Sequence, residues 1–418
     1  MFRLSRYISA LVAAEEGRTA AAPPRRVAPG PGAGDGSATG PVVIWNLIRR
    51  CNLTCKHCYA LSADTDFAGE LTTDEVFGVM DDLKAFRVPV LILSGGEPLM
   101  RPDIYRIATR AKVMGFYVGL STNGTLIDDD NIHRIETVGF DYVGISLDGL
   151  RNTHDHFRRK QGAFNASLRA IRLCREHGIK VGIRFCPTKD TAQDLPALLD
   201  LADAEGIDKV YVTHLNYAGR GNHNRRSDAH HALTREVMDL LFERCLADVR
   251  AGRQREYVTG NNDADGVYLL QWAERRFPAQ AAMLRRRLEA WGGNASGVNV
   301  ANIDNLGNVH PDTMWWTHTL GNVRSRPFSD IWMDVSDPLM AGLKQRPRPV
   351  GGRCGPCVHR AICNGNTRTR AFQLTGDAWA EDPGCYLDDD EIGVSGGGPR
   401  VELTSFGAGR RPLAVAEG

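Results

Sequence analysis

Two groups of cysteines carry most of the chemical information in this chain. Cys51-Asn-Leu-Thr-Cys55-Lys-His-Cys58 places three thiols within eight residues. Thiolates so close together on one segment bind soft metals or iron–sulfur clusters. A closed structural zinc site takes four protein ligands. No fourth cysteine or suitably spaced histidine follows, and His57, adjacent to Cys58, is badly placed to close the same site. Either a distant residue completes a zinc site, or three thiolates hold a four-iron cluster and leave one iron open. An open metal position is what chemistry on a substrate or cofactor requires. The second group, Cys354-Gly-Pro-Cys357-x5-Cys363 followed by Cys385, has enough thiols for a closed site, as a zinc ribbon or as a four-iron cluster. Cys174, Cys186 and Cys245 fall in helical or strand patterns and read as buried free thiols.

Elements that could position these groups alternate along the chain. VVIWNLI (42–48), VPVLILS (88–94), FYVGLST (116–122), DYVGISL (141–147), IKVGIRF (179–185) and KVYVTHL (209–215) read as six short apolar strands. Between them lie helical patterns. One is capped by Thr72 and carries Val76, Val79, Met80 and Leu83 at helical spacing; others fall near 102–114, 128–138, 164–177 and 194–205. Alternation of this kind predicts an α/β protein with a parallel sheet, closed or partly closed as a βα barrel. Polar residues at the C-terminal ends of such strands converge on one face. Ser94-Gly95-Gly96-Glu97-Pro98, Ser121-Thr122-Asn123-Gly124 and Ser146-Leu147-Asp148-Gly149 occupy those positions as ligand contacts or loop caps. The glycines allow close backbone approach, and Glu97 can accept from an ammonium group.

The C-x3-C-x2-C loop after the first strand, with the Gly-Gly-Glu element after the second, resembles the radical S-adenosylmethionine (SAM) superfamily. The resemblance implies a partial (β/α)6 TIM-like barrel over 42–216. Cys51, Cys55 and Cys58 would ligate a [4Fe–4S] cluster whose open iron chelates SAM. One electron would then cleave SAM to methionine and a 5′-deoxyadenosyl radical. Gly95, Gly96, Glu97, Thr122, Asn123, Ser146 and Asp148 would contact SAM, Arg184 would meet its carboxylate, and the backbone near Leu215 its adenine. The later cysteines resemble part of the SPASM extension. Asp312 and Thr367 stand where a full SPASM region has cysteines. This implies one auxiliary [4Fe–4S] cluster on Cys354, Cys357, Cys363 and Cys385, in a small module over 297–390.

VVIWNLIRRCNLTCKHCY, THLNYAGRGN and MWWTHTLGNVRSRPFSDIW further resemble the heme d1 biosynthesis (NirJ) family. That family acts on 12,18-didecarboxysiroheme and removes propionate side chains. The resemblance implies a tetrapyrrole substrate, and flavodoxin or ferredoxin as electron donor. Arg220, Arg225 and Arg226 follow the sixth strand and can fork onto carboxylates; Trp315, Trp316 and His318 can line a flat ligand. Alternatives are a tetrapyrrole decarboxylase of the alternative heme pathway, a peptide-modifying maturase and a non-catalytic zinc protein.

Composition bounds the rest. The 418 residues carry 51 Lys plus Arg against 50 Asp plus Glu, a net charge of +1, so neither nucleic acid nor a membrane surface is an expected partner. No apolar run is long enough to span a bilayer. Arg3, Arg6 and the short apolar stretch after them raise the possibility of a signal peptide. An amphipathic helix over 1–17, docking through Phe2, Leu4, Ile8 and Leu11, fits better, and with it a cytoplasmic location. Residues 18–41, rich in Ala, Pro and Gly, read as a flexible linker; 391–418 read as a flexible tail, and 217–296 as an Arg-rich helical connection.

Overall fold

The computed structural model describes residues 1–18 and 40–395, so most of the expected linker and tail lies outside the described residues. The six expected strands form as β1 Val42–Asn46, β2 Val90–Ser94, β3 Tyr117–Thr122, β4 Tyr142–Ser146, β5 Val181–Phe185 and β6 Lys209–Thr213. They lie side by side in sequence order, all parallel. Helices cover them: α1 Leu4–Glu15, α2 Thr73–Ala85, α3 Ile104–Val113, α4 Ile132–Val138, α5 Arg151–Arg158, α6 Ala163–Glu176 and α7 Leu195–Ala204. Val43, Val118, Val143, Ile145, Val181, Ile183, Val210 and Val212 have no exposed surface, as a helix-covered parallel sheet requires.

Three of the strands share a Val-Gly-Leu or Val-Gly-Ile core, and the glycines make room inside the barrel. A Cβ on Gly182 would lie 2.4 Å from the Tyr142 hydroxyl, which fills that space. Arg184 projects nearby, its guanidinium 5.3 Å from the Tyr211 ring centroid.

The sheet extends past the six expected strands at both ends. β7 Glu256–Gly260 lies parallel to β6, inside the segment expected to be mostly helical. Its polar ends and short length hide it between α8 Gly219–His223, α9 His231–Arg250 and α10 Ala264–Arg276. At the other end, β8 Val300–Ile303 pairs in parallel with β1, Val43 opposite Ala301. A hairpin turning at Asn305–Gly307 joins β8 to β9 Asn308–His310, and β10 Gly321–Asn322 follows. The start of the 297–390 segment, through β10, is therefore built into the barrel sheet. α1 forms as expected, with Leu4, Ile8 and Leu11 fully buried. Phe2 bridges β7 through two backbone hydrogen bonds with Thr259, of 2.7 and 2.8 Å. No helix among the described residues is long and apolar enough to cross a membrane.

Candidate functional site

The cysteine loop leaves the end of β1 and is held from the β2 side by backbone and from the β6 side by Arg220. The Gly96 amide donates to the Ile48 carbonyl at 2.6 Å, and the Glu97 amide to that of Arg50 at 2.9 Å. A Cβ on Gly96 would fall 2.2 Å from the Arg50 oxygen, so only glycine permits this approach. From the β6 side, Arg220 donates Nε to the Cys55 carbonyl (2.7 Å) and Nη1 to that of Ser62 (2.9 Å). Its amide donates to the Cys58 carbonyl at 2.9 Å. Gly219, at φ 52°, brings this turn against Tyr59. Arg220, expected at a substrate carboxylate, thus braces the cysteine loop.

Cys51 and Cys55 are buried and Cys58 half-buried. Burial pushes the Cys51 thiol up to about 12, and Glu97, Cys55 and Cys58 add to it. Burial also raises Cys55, against the pull of Arg158. Such thiols stay protonated until a metal displaces the protons. Asn123 Nδ2 lies 3.9 Å from Cys51 Sγ and 2.9 Å from Asn52 Oδ1.

Glu97 differs from the expectation of a ligand-facing carboxylate. It has no exposed surface. Oε1 accepts from the Leu99 amide (3.1 Å) and the Thr122 hydroxyl (2.7 Å), and Oε2 from the Asn123 amide (2.8 Å). Burial pushes this carboxyl up to about 7. Glu97 and Thr122 therefore clamp the loop after β2 to the end of β3, and neither reaches an open face.

Asp148 is also turned inward. It forms a buried ion pair with Arg158, and its Oδ1 accepts from the Cys186 amide at 2.7 Å. Burial works to raise its carboxyl, but Arg158, then His57 and His154, bring it below the usual carboxylate range. Arg158 in turn directs Nη1 to Cys55 Sγ at 3.5 Å. Arg158 lies 103 residues from Cys55 and carries no motif, so nothing in the order of residues marks it.

Ser146 and Arg184 are register neighbours on β4 and β5 and remain half-buried, with Arg184 bonded to the Ser121 hydroxyl. Together with Gly95, Gly96 and Asn123 they are the expected contacts left beside the loop. The Leu215 carbonyl already accepts from Arg370 Nη1 at 3.2 Å.

Cys354, Cys357, Cys363 and Cys385 line one cavity, closed on one side by Ala264 and Val267 of α10 and flanked by Arg353 and Arg360. Burial, then Cys354, Cys385 and Cys357, raises the Cys363 thiol well above its ordinary value. Arg370 grips Asp382 through Nε and Nη2 at 2.9 and 2.8 Å, fully buried, and reaches the Asn261 carbonyl at 2.6 Å. Asp265 accepts from Tyr386 (2.9 Å) and Thr259 (2.5 Å) and lies 3.1 Å from His214 Nε2. These two networks tie the cavity to the ends of β6 and β7. Thr367 is buried, its hydroxyl on the Asn261 carbonyl, and Asp312 caps the Met314 amide.

Among the described residues, one group of three metal-ligating side chains has its donor atoms within 4.8 Å of one another: His133, Glu136 and His177, on the outer helices. No cysteine group is gathered that tightly.

Trp315 is packed in a core with Leu339 and Leu343 and is not available to a ligand. Trp316 is half-buried, 6.0 Å from the Tyr59 ring and 5.9 Å from that of His310. His318 is held by Asp337 at 2.9 Å, and Arg225 donates to Asn222 at 2.9 Å.

Residues 45–202 match the radical SAM superfamily. The chain is 52% identical, over 97% of its own length and 97% of the relative's, to the pre-heme d1 synthase of Dinoroseobacter shibae. It is 44% identical to the Fe-coproporphyrin III synthase of Methanosarcina barkeri, over 84% of this chain and 89% of that one. Among solved structures, Streptococcus suis SuiB bound to the precursor peptide SuiA superposes with a TM-score of 0.67 at 15% identity, covering 84% of this chain and 76% of that one, a likeness of fold.

Proposed function

The chain belongs to the radical SAM superfamily, whose members bind a [4Fe–4S] cluster and SAM, and from that premise we propose that it acts in heme d1 biosynthesis, removing propionate side chains from 12,18-didecarboxysiroheme. The observation that carries this reading is the 52% identity to a pre-heme d1 synthase across nearly the whole of both chains. Cys51, Cys55 and Cys58 would hold the barrel cluster. The cluster with SAM supplies one-electron cleavage of the sulfonium and, from it, hydrogen abstraction. The protein's share is placement. Arg220 and the Gly95-Gly96 backbone fix the loop, while Ser146, Arg184 and Asn123 would contact SAM. Glu97, Thr122 and Asp148 act through other residues. Cys354, Cys357, Cys363 and Cys385 would hold a second, auxiliary [4Fe–4S] cluster. Their shared cavity supports it. Four thiolates leave that cluster no open iron, which suits electron transfer. Trp316, against Tyr59 beside Cys58, offers an aromatic surface for a flat macrocycle.

The 44% identity to an Fe-coproporphyrin III synthase favours a second reading, in which the product is an iron coproporphyrin. The products separate the two, because an iron coproporphyrin keeps its propionates. Reduced protein is incubated with SAM and 12,18-didecarboxysiroheme and analysed by mass spectrometry. Loss of two propionate side chains with formation of 5′-deoxyadenosine is expected; a product retaining them would replace the first reading by the second. Ala at Cys51, Cys55 and Cys58 should abolish 5′-deoxyadenosine while sparing about four irons per chain.

A further inference from the structure

We propose that the groove between the cysteine loop and the end of α5 is the docking surface for an acidic one-electron carrier protein, which reduces the barrel cluster beside Cys55. This rests on the reading of Cys51, Cys55 and Cys58 as cluster ligands. The groove has a volume of about 550 Å3 and is lined by Lys56, Asn152, His156, Arg159, Lys160 and Gln161, with Asp155 at its floor.

Its charge balance is positive. Arg159 and Lys160 are exposed, and neither pairs with an acidic side chain among the described residues. Asp155, the acid in the groove, is buried and occupied: its oxygens accept from the Gly162 and Phe164 amides at 2.6 and 2.8 Å. Lys56 lies 2.8 Å from His156 Nε2 and 3.1 Å from Asp190, which draws off part of one charge only. The chain as a whole is nearly neutral, so this surplus is local.

The groove is also wired to the cluster ligands. Lys56 follows Cys55 directly, and its amide donates to the Phe157 carbonyl at 3.0 Å. Arg158 turns inward to Cys55 Sγ at 3.5 Å, while Arg159, in the left-handed region at φ 56°, ends the helix and turns outward. Arg158, Arg159 and Lys160 thus run from a ligand sulfur to solvent. A small anion would want convergent, desolvated donors. Two exposed cations at the rim of an open groove are instead the features that steer a charged protein and set its association rate. In docking, one electron leaves the reduced carrier and enters the cluster; no bond forms or breaks and no proton moves.

The test uses reduced flavodoxin as the probe carrier and the reconstituted full chain. The variant is Arg159→Asp with Lys160→Glu, Asp being tolerated in the left-handed region; Arg159→Asn with Lys160→Gln serves as a milder pair. Stopped-flow absorbance follows reduction of the barrel cluster. At low salt the charge-reversed variant should react at least tenfold more slowly than the parent, the milder pair should fall between, and the gap should close near ~0.5 M salt. Formation of 5′-deoxyadenosine with dithionite, which needs no docking, should be unchanged. Equal flavodoxin rates at low salt would overturn the proposal. So would equal loss with flavodoxin and dithionite, which would make these residues supports of the cysteine loop. A parent protein that cleaves no SAM with dithionite would instead overturn the cluster reading beneath it.

Discussion

Asp148→Asn is the sharpest test of how the site is held together. Asp148 and Arg158 are 1% and 7% exposed, so their ion pair is shielded from water. The substitution keeps an oxygen for the Cys186 amide and removes only the charge facing Arg158. Breaking a buried pair by removing one partner costs about 3–5 kcal/mol. Retention of the Cys186 hydrogen bond places this case near the lower bound, about 3 kcal/mol, or a hundredfold in the folded-to-unfolded ratio. A carboxylate exposed to bind SAM would give a different pattern, a loss of SAM affinity with stability changed by roughly 0.5 kcal/mol or less. Urea unfolding of the reduced apo-protein, beside equilibrium SAM binding to the reconstituted one, separates the two. The folded-state carboxyl lies below its ordinary range, so its contribution is complete at neutral pH and is lost on acidification through about pH 4 and below. The gap between parent and variant should shrink there. A second readout comes from the sulfur. With Asp148 neutral, the Arg158 cation beside Cys55 is uncompensated, and the barrel cluster should become easier to reduce. Unchanged stability together with a large loss of SAM affinity would refute the inward orientation.

Other outcomes follow from the same contacts. Glu97→Gln should destabilise by about 1–3 kcal/mol, because an amide cannot accept from all three of its donors. The Glu97 carboxyl is raised to about 7, so the stability it lends is full below its unfolded value near 4.3 and is lost as pH rises through 7; the parent's advantage over the variant should be smaller at pH 8 than at pH 5 in urea titrations. Ala at Cys354 and Cys357 should remove about four irons per chain while dithionite-driven SAM cleavage persists, read by iron analysis and chromatography of 5′-deoxyadenosine. Arg370→Met would leave Asp382 buried without its cation and should cost about 3–5 kcal/mol, measured by thermal or urea unfolding.

The barrel was legible because its strands are short, apolar and regularly spaced by amphipathic helices. The cysteine loop and the Gly-Gly pair were legible because each is a local spacing that serves one purpose. What the sequence hid is the direction a side chain takes at a strand end. Glu97 and Asp148 stand where ligand contacts are expected, yet each turns toward partners that lie elsewhere in the chain. For Asp148 that partner is Arg158, and nothing in the order of residues announces the pairing. Trp315 and Trp316 are adjacent, but one is core and the other faces the loop, a difference set by Leu339 and Leu343. β7 and β8 were hidden for another reason: at five and four residues, with Asn or Glu inside them, they have too little periodicity to stand out.

The pairing of β8 with β1 has a consequence for how the protein is born. The strand that feeds the cysteine loop takes one neighbour from β2 early and the other only after residue 303 has left the ribosome. At ordinary translation speeds that interval is roughly ten to fifty seconds. Throughout it, one edge of β1 offers unpaired amides and carbonyls, a template for other nascent chains. Three thiols stand beside that edge, oxidisable until they are filled. A fragment ending before residue 297 would keep the edge open permanently and should aggregate, even though it contains every barrel cysteine.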